Sequence, residues 1–112
     1  ETLVAQCRAL GMEPLVEVID EAEADRALAA GAAVVGVNAR DLSTFQIDLE
    51  RAERVVQRLP CEVVRVWLSG VVNAAGFARA RQAGVDAVLV GEGLMRAEKP
   101  KGVMAAWRNA LG

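Results

Sequence analysis

Few residues in this 112-residue chain are equipped for chemistry. It contains no histidine, which removes imidazole general bases, histidine triads and histidine metal ligands at once. What remains sits at the ends of apolar runs. Glu17 interrupts Pro14-Leu-Val-Glu-Val-Ile19; Asn38 and Arg40 follow Ala33-Val-Val-Gly-Val37; Ser69-Gly70 follows Glu62 to Leu68; Gly91-Glu-Gly93 follows Ala87 to Val90. A glutamate is seldom buried without a partner. Glu17 is therefore either an acid–base group or a leftover carboxylate, exposed or paired with a basic residue such as Arg40. Arg40 has the forked geometry that holds an anion; the alternative is a solvated charge beside Asn38 acting as a turn residue. The glycines let backbone N–H groups approach an anion, or are ordinary loop glycines.

Other site types are excluded. Gly91-Glu-Gly93 is not a dinucleotide fingerprint, because Arg96 occupies the third glycine position. No Gly-x4-Gly-Lys-Ser/Thr occurs. Cys7 and Cys61 are too few for a disulfide scaffold and too far apart for a metal knuckle. They read as ordinary thiols of a cytoplasmic protein, and neither a metal nor a cofactor is expected.

The elements that must position these residues follow from periodicity and punctuation. Leu3, Val4, Cys7 and Leu10 form a helical stripe closed by Gly11. Four short apolar strands are predicted over 14–19, 33–38, 62–68 and 87–90. Helices are predicted over about 20–30, 49–59, 73–83 and 101–111, with a short turn at 93–95. Asp20 and Glu23 have capping-box spacing, and Pro60 stops the third helix. Ala30-Gly-Ala-Ala-Val-Val-Gly-Val37 and Ala83-Gly-Val-Asp-Ala-Val-Leu-Val90 repeat one pattern 53 positions apart, two βα units. Alternating strands and helices imply a parallel sheet with right-handed crossovers. Strands that are apolar throughout imply burial on both faces.

Composition narrows the function classes. Apolar residues make up 54% and charged residues 25%, enough for one packed domain over residues 1–112. A net charge of −2, no tyrosine and only two phenylalanines and two tryptophans argue against a nucleic-acid surface. No run of about 18 apolar residues suggests a membrane span. The opening Glu1-Thr-Leu-Val4 lacks the basic region of a signal peptide.

Taken in order, Leu15-Val-Glu-Val18, Gly36-Val-Asn-Ala-Arg-Asp-Leu42, Thr44-Phe-Gln-Ile-Asp-Leu49, Ser69-Gly70 and Ala83 to Arg96 resemble indole-3-glycerol-phosphate synthase, a (β/α)8-barrel lyase of tryptophan biosynthesis. The resemblance runs over essentially the whole chain and matches that family's C-terminal half: its fourth helix, then strands and helices five to eight. It implies an α/β fold, a (βα)4 half of a TIM barrel with a four-stranded parallel sheet and a preceding helix. The family closes an indole ring on carboxyphenylamino-deoxyribulose phosphate with loss of CO2 and water. By resemblance, Glu17 is its catalytic carboxylate, with Asn38 beside it. Arg40, Ser69 and Leu89 contact substrate, and Gly70, Gly91 and Glu92 border the phosphate. All stand at strand C-termini, where barrel enzymes build their sites. The family's lysine general acid comes from its first three strands, which are not among these residues.

Three positions depart from the family. Its usual Ala-Glu-Ser-Gly is Trp67-Leu68-Ser69-Gly70 here, and a frequent histidine is Ile19. The pattern reads as re-engineering, or as selection for a folded fragment. A leucine transfers no proton, so the chain is expected to be inactive alone. Weak or complementable lyase activity and a phosphate-binding flavodoxin-like monomer are the alternatives. Alternation places Leu15, Glu17, Ile19, Val34, Gly36, Asn38, Val64, Val66, Leu68, Ala87 and Leu89 on the inward face, and Trp67 toward the helices. Left bare, that face is an apolar patch of several hundred Å2, and covering it on two partners offers on the order of 10 kcal/mol gross. A homodimer through the inner sheet face is expected, with larger even-numbered assemblies as the alternative, phosphate or sulfate as ligand and no nucleic-acid or membrane partner.

Overall fold

A computed structural model describes residues 2–110. Its elements are α1 (Thr2–Ala9), β1 (Leu15–Val18), α2 (Glu21–Ala29), β2 (Val34–Asn38), α3 (Leu49–Arg58), β3 (Val64–Leu68), α4 (Ala74–Gln82), β4 (Ala87–Leu89), α5 (Glu92–Met95) and α6 (Pro100–Ala110). Each strand pairs in parallel with the next, in the order β1-β2-β3-β4. A flavodoxin-like sheet reverses its strand order at a switch point. This one does not, which sets that alternative aside. The architecture is α/β, as the alternating pattern implies, and the four strands form half of a βα barrel, as the family resemblance implies.

Local chemistry explains the boundaries. The Asp20 carboxylate accepts from the Glu23 N–H at 2.7 Å, and Glu23 returns to accept from the Ile19 N–H at 2.8 Å. This is a capping box shifted by one residue. Asp48 and Asn73 cap α3 and α4 through the Arg51 and Gly76 N–H groups. Leu59 is extended, at φ −76° and ψ 135°, because Pro60 excludes the helical region for the residue before it. Gly31 and Gly84, at equivalent places in the repeat, end α2 and α4 with φ of +82° and +102°, where a side chain would strain the backbone.

The register stacks the side chains into rows. Val18, Val37, Trp67 and Val88 form one row facing the helices. Val18, Val35, Val37 and Trp67 are fully buried with Ala24, Ala27, Ala52, Val55, Val56 and Ala80. Glu17, Gly36, Val66 and Ala87 form a row on the opposite face, as do Asn38, Leu68 and Leu89. The alternation assigned to the strands is thus correct, and Trp67 faces the helix layer with its Nε1–H donating to the Ser69 carbonyl at 3.0 Å.

The expectation that the inward face lies bare needs correction at its centre. Leu68 is only 5% exposed and Val66 8%, whereas Leu15, Val64 and Leu89 are 44%, 44% and 60% exposed. The reason is Gly36. A Cβ there would lie 2.7 Å from Leu68 Cδ1 and 3.3 Å from Leu15 Cδ1. Leu68 therefore fills the space that glycine leaves, reaching diagonally across the sheet toward β1.

Ion pairs join successive helices. Arg58 binds both oxygens of Asp25 at 2.8 Å, linking α3 to α2, and Arg79 binds Glu53, linking α4 to α3. These contacts hold the Asp25 and Glu53 carboxyls below their ordinary values of 3.8 and 4.5. A carboxylate whose value is lowered on folding stabilises the fold above its unfolded value and loses that contribution as pH falls through the folded one. The urea midpoint is accordingly expected to stay level from pH 7 to about 5 and to drop below about pH 4.5. The drop is expected to be shallower in an Asp25→Asn, Glu53→Gln variant; equal slopes in the two proteins would contradict this assignment.

Candidate functional site

The site is built on strand ends. Glu17 is the third residue of β1, and Asn38, Leu68 and Leu89 are the last residues of β2, β3 and β4. Asn38 is the hub. Its side chain is 5% exposed; its Nδ2 donates to Glu17 Oε1 at 3.0 Å, and its Oδ1 accepts from the Arg40 N–H at 2.9 Å. The exposed Glu17 carboxylate is thereby oriented by an amide. The sequence-based pairing of Glu17 with Arg40 does not form: the Arg40 guanidinium turns to Glu92, 3.7 Å away, and Arg96 holds the same carboxylate at 2.9 Å. The physical reason is length. Arg40 lies past the end of β2, where its side chain reaches α5 more readily than it returns to β1.

A cleft of about 440 Å3 lies between the loops after β2, β3 and β4. Arg40, Ser69, Gly70, Leu89, Gly91 and Glu92 all line it, together with Ile47. The structure therefore gathers six of the eight sequence-derived site residues in one place, with the Asn38–Glu17 pair beside it through the Arg40 backbone. Ser69 and Gly70 both adopt positive φ, +67° and +76°. For a serine this conformation is uncommon. The Trp67 indole, which holds the Ser69 carbonyl, helps fix it.

Two features of the site escaped sequence reasoning. Arg51, in the first turn of α3, donates from Nη2 to the carbonyls of Asn38 at 2.9 Å and Ala39 at 3.2 Å, pinning the end of β2. No local pattern marks it, since its partners lie 13 and 12 positions away. The second feature is the segment from Ala39 to Asp48, a small antiparallel excursion. The Asp41 N–H donates to the Gln46 carbonyl and the Asp48 N–H to the Ala39 carbonyl. Hydrogen bonds from the Ser43 hydroxyl and backbone lower the Asp41 pKa. Asp41 in this turn and the bridge between Arg40 and Ile47 bring Ile47 to the cleft wall.

Among the described residues, no group of three or more His, Cys, Asp or Glu side chains is placed to hold a metal ion, and no helix is long and apolar enough to cross a membrane.

Comparison with known proteins sets this geometry in context. The model of the indole-3-glycerol phosphate synthase family matches residues 1–106. The indole-3-glycerol phosphate synthase of Mycobacteroides abscessus is 50% identical over 104 residues, covering 93% of this chain and 38% of that protein. The one from Mycolicibacterium smegmatis is 50% identical over 105 residues, covering 94% and 39%. The chain thus spans less than two-fifths of the length of these relatives. Among solved structures, the Amycolatopsis orientalis BexX/CysO complex contains a chain that superposes with a TM-score of 0.77 at 30% identity, covering 97% of this chain and 45% of that one. Thiamine phosphate pyrophosphorylase from Pyrococcus furiosus superposes with a TM-score of 0.75 at 22% identity, over 97% of this chain and 55% of that one, a likeness of fold alone.

The hub has a measurable weight. Asn38→Ala removes a buried amide and leaves the Arg40 N–H without its acceptor. A loss of about 1–3 kcal/mol in urea unfolding is expected. Glu17→Gln, which keeps an acceptor for Asn38 on an exposed side chain, is expected to shift stability by less than about 0.5 kcal/mol. Equal effects would mean that the amide does not organise the strand ends.

Proposed function

Since the chain belongs to the indole-3-glycerol phosphate synthase family, we propose that it carries the strand-five-to-eight side of such a site, binds anion weakly there, does not perform the lyase reaction alone, and associates with itself. Leu68 is the observation that carries this reading. It stands at the β3 terminus where the family resemblance implies a carboxylate, and its buried side chain lies against Gly36 rather than toward a ligand. A methyl group there neither moves a proton nor stabilises positive charge. Glu17, oriented by Asn38, is left as the acid–base group of this half, able to exchange a proton but without a second group to complete the transfer.

One observation favours a second reading. Glu17, Asn38 and Arg40 retain an ordered arrangement at neighbouring strand ends, as a complementing N-terminal half would require. Purified chain is expected to give no lyase turnover above background, with at most a low rate when that half is added. A rate from the chain alone that rises in proportion to protein and vanishes in Glu17→Gln would overturn the proposal. Self-association rests on Leu15, Val64 and Leu89, exposed on a face that no helix covers. Light scattering is expected to give about twice the 11.9 kDa of one chain. A monomer at micromolar concentration, melting cooperatively, would refute it.

Anion binding is proposed at Arg40, Gly70 and Gly91, with the phosphate of the family's substrate as the chemical class. Glu92 opposes it by holding Arg40. Phosphate is expected to raise Tm in the parent by mass action, at ionic strength matched with chloride. The rise is expected to be larger in Glu92→Gln, where Arg40 is released. Equal rises, or none in either protein, would count against the site.

A further inference from the structure

The two halves of the chain repeat a helix–strand–helix–strand unit, and this repeat makes the β2–β3 junction a template for what lies beyond each edge. α3 follows β2, precedes β3 and roofs the junction between them, with Ala52, Val55 and Val56 buried beside Val35, Val37 and Trp67. α6 stands to β4 as α3 stands to β2. α1 stands to β1 as α3 stands to β3. If β4 met another β1, α6 and α1 would both claim the single position that α3 occupies inside the chain.

They are not held equally well. α6 is anchored on α4 by Trp107, whose ring centroid lies 5.8 Å from that of Phe77. α1 is docked lightly: Val4 is its buried side chain, Leu3 is exposed, and Arg8 ties it down by donating to the Gly31 carbonyl at 2.7 Å and pairing with Glu13 at 3.2 Å. A groove of about 560 Å3 separates it from β1, from Glu23, Arg26 and Ala27 of α2, and from Ala30 at the end of that helix.

Charge is distributed to match. Residues 2–30 carry six acidic and two basic side chains, whereas residues 78–110 carry six basic and three acidic. The free face of α6 presents Lys101, Met104, Ala105 and Arg108, all exposed, at the i, i+3, i+4, i+7 spacing of one stripe. That stripe places an apolar centre between two cations. Ala27 of α2 and Ala30 just beyond it offer a small apolar surface beside Glu23, whose carboxylate also faces Arg26 at 4.0 Å.

Resting on the self-association proposed above, we propose that the β4 edge of one copy pairs with the β1 edge of a second copy, head to tail. The α6 stripe then seats on α2 of that second copy, in the position from which α1 is displaced. The occupant is a second copy because one chain carries both halves of the seam, with opposite charge. Parallel pairing satisfies the free backbone groups of both edges, and two such seams close the sheet.

The test is sedimentation equilibrium of the full chain at low and high salt, with hydrogen exchange of α1 and β1 amides in dilute and concentrated samples. Lys101→Glu, Arg108→Glu is expected to weaken association at least tenfold at low salt, with the difference shrinking at high salt. Arg8→Ala, which releases α1 without touching the seam, is expected to strengthen it severalfold. On association, α1 amides are expected to lose protection and β1 amides to gain it. A dimer whose affinity ignores both variants, with α1 still protected, overturns the seam and leaves self-association standing. Monomers in every sample, Arg8→Ala included, overturn both.

Discussion

A strand in a parallel sheet carries apolar side chains on both faces, and crossover helices that all lie on one side cover only one of them. This constraint governs the whole molecule. On the helix side it is met fully: the Val18, Val37, Trp67 and Val88 row and the Val35 side chain pack against small alanines and valines of α2, α3 and α4. On the other side it is met in the middle and not at the flanks. Gly36 has no side chain, so Leu68 lies over β2 and screens the centre of the sheet. Leu15 and Val64, at the other end of the sheet, and Leu89 in the edge strand remain open. Leu68 is thus buried within the sheet itself, where the family resemblance implies a carboxylate.

The same arrangement governs the chemistry. An amide at the end of β2 touches the carboxylate from β1 and the backbone of the loop that carries Arg40, and Arg51 secures the carbonyls beneath it. One buried asparagine thus ties the end of β1 to the end of β2 and to the loop that follows it. Glu92 then sits between Arg40 and Arg96 as an internal counter-ion. Two guanidiniums share this one carboxylate, so the cleft mouth keeps one positive charge in excess.

Much of this was legible in the sequence, and the remainder was not, for a physical reason. Helix starts and stops are decided within three or four residues: Asp20 with Glu23, Asp48 with Arg51, Asn73 with Gly76, and Leu59 before Pro60. Pattern reading found the elements to within one or two positions at most boundaries. The inward and outward faces were equally legible, since strand alternation is a property of the backbone. Partners across the sheet depend on register and on what a neighbour leaves empty. That Leu68 is buried by a glycine two residues from its own pairing partner, that Arg40 chooses Glu92 over Glu17, and that Arg51 reaches back to Asn38 are consequences of assembly, invisible to a linear pattern. Motif resemblance identified the cleft-lining residues because it carries information about such assembly that local rules lack.

The strictly sequential strand order has a consequence for how the chain acquires its structure. Every strand hydrogen-bonds only with its neighbours in sequence, so no pairing spans more than one helical connection. Loop closure then costs little at each step, and the ladder is longest between β2 and β3, at five residue pairs, against four between β1 and β2 and three between β3 and β4. Cooperativity in such a sheet is nearest-neighbour in kind, as in a repeat protein. In this order a βα unit at either end shares a ladder with one neighbour alone, which gives the half-barrel a grain along which a unit parts from the rest at the loss of a single ladder.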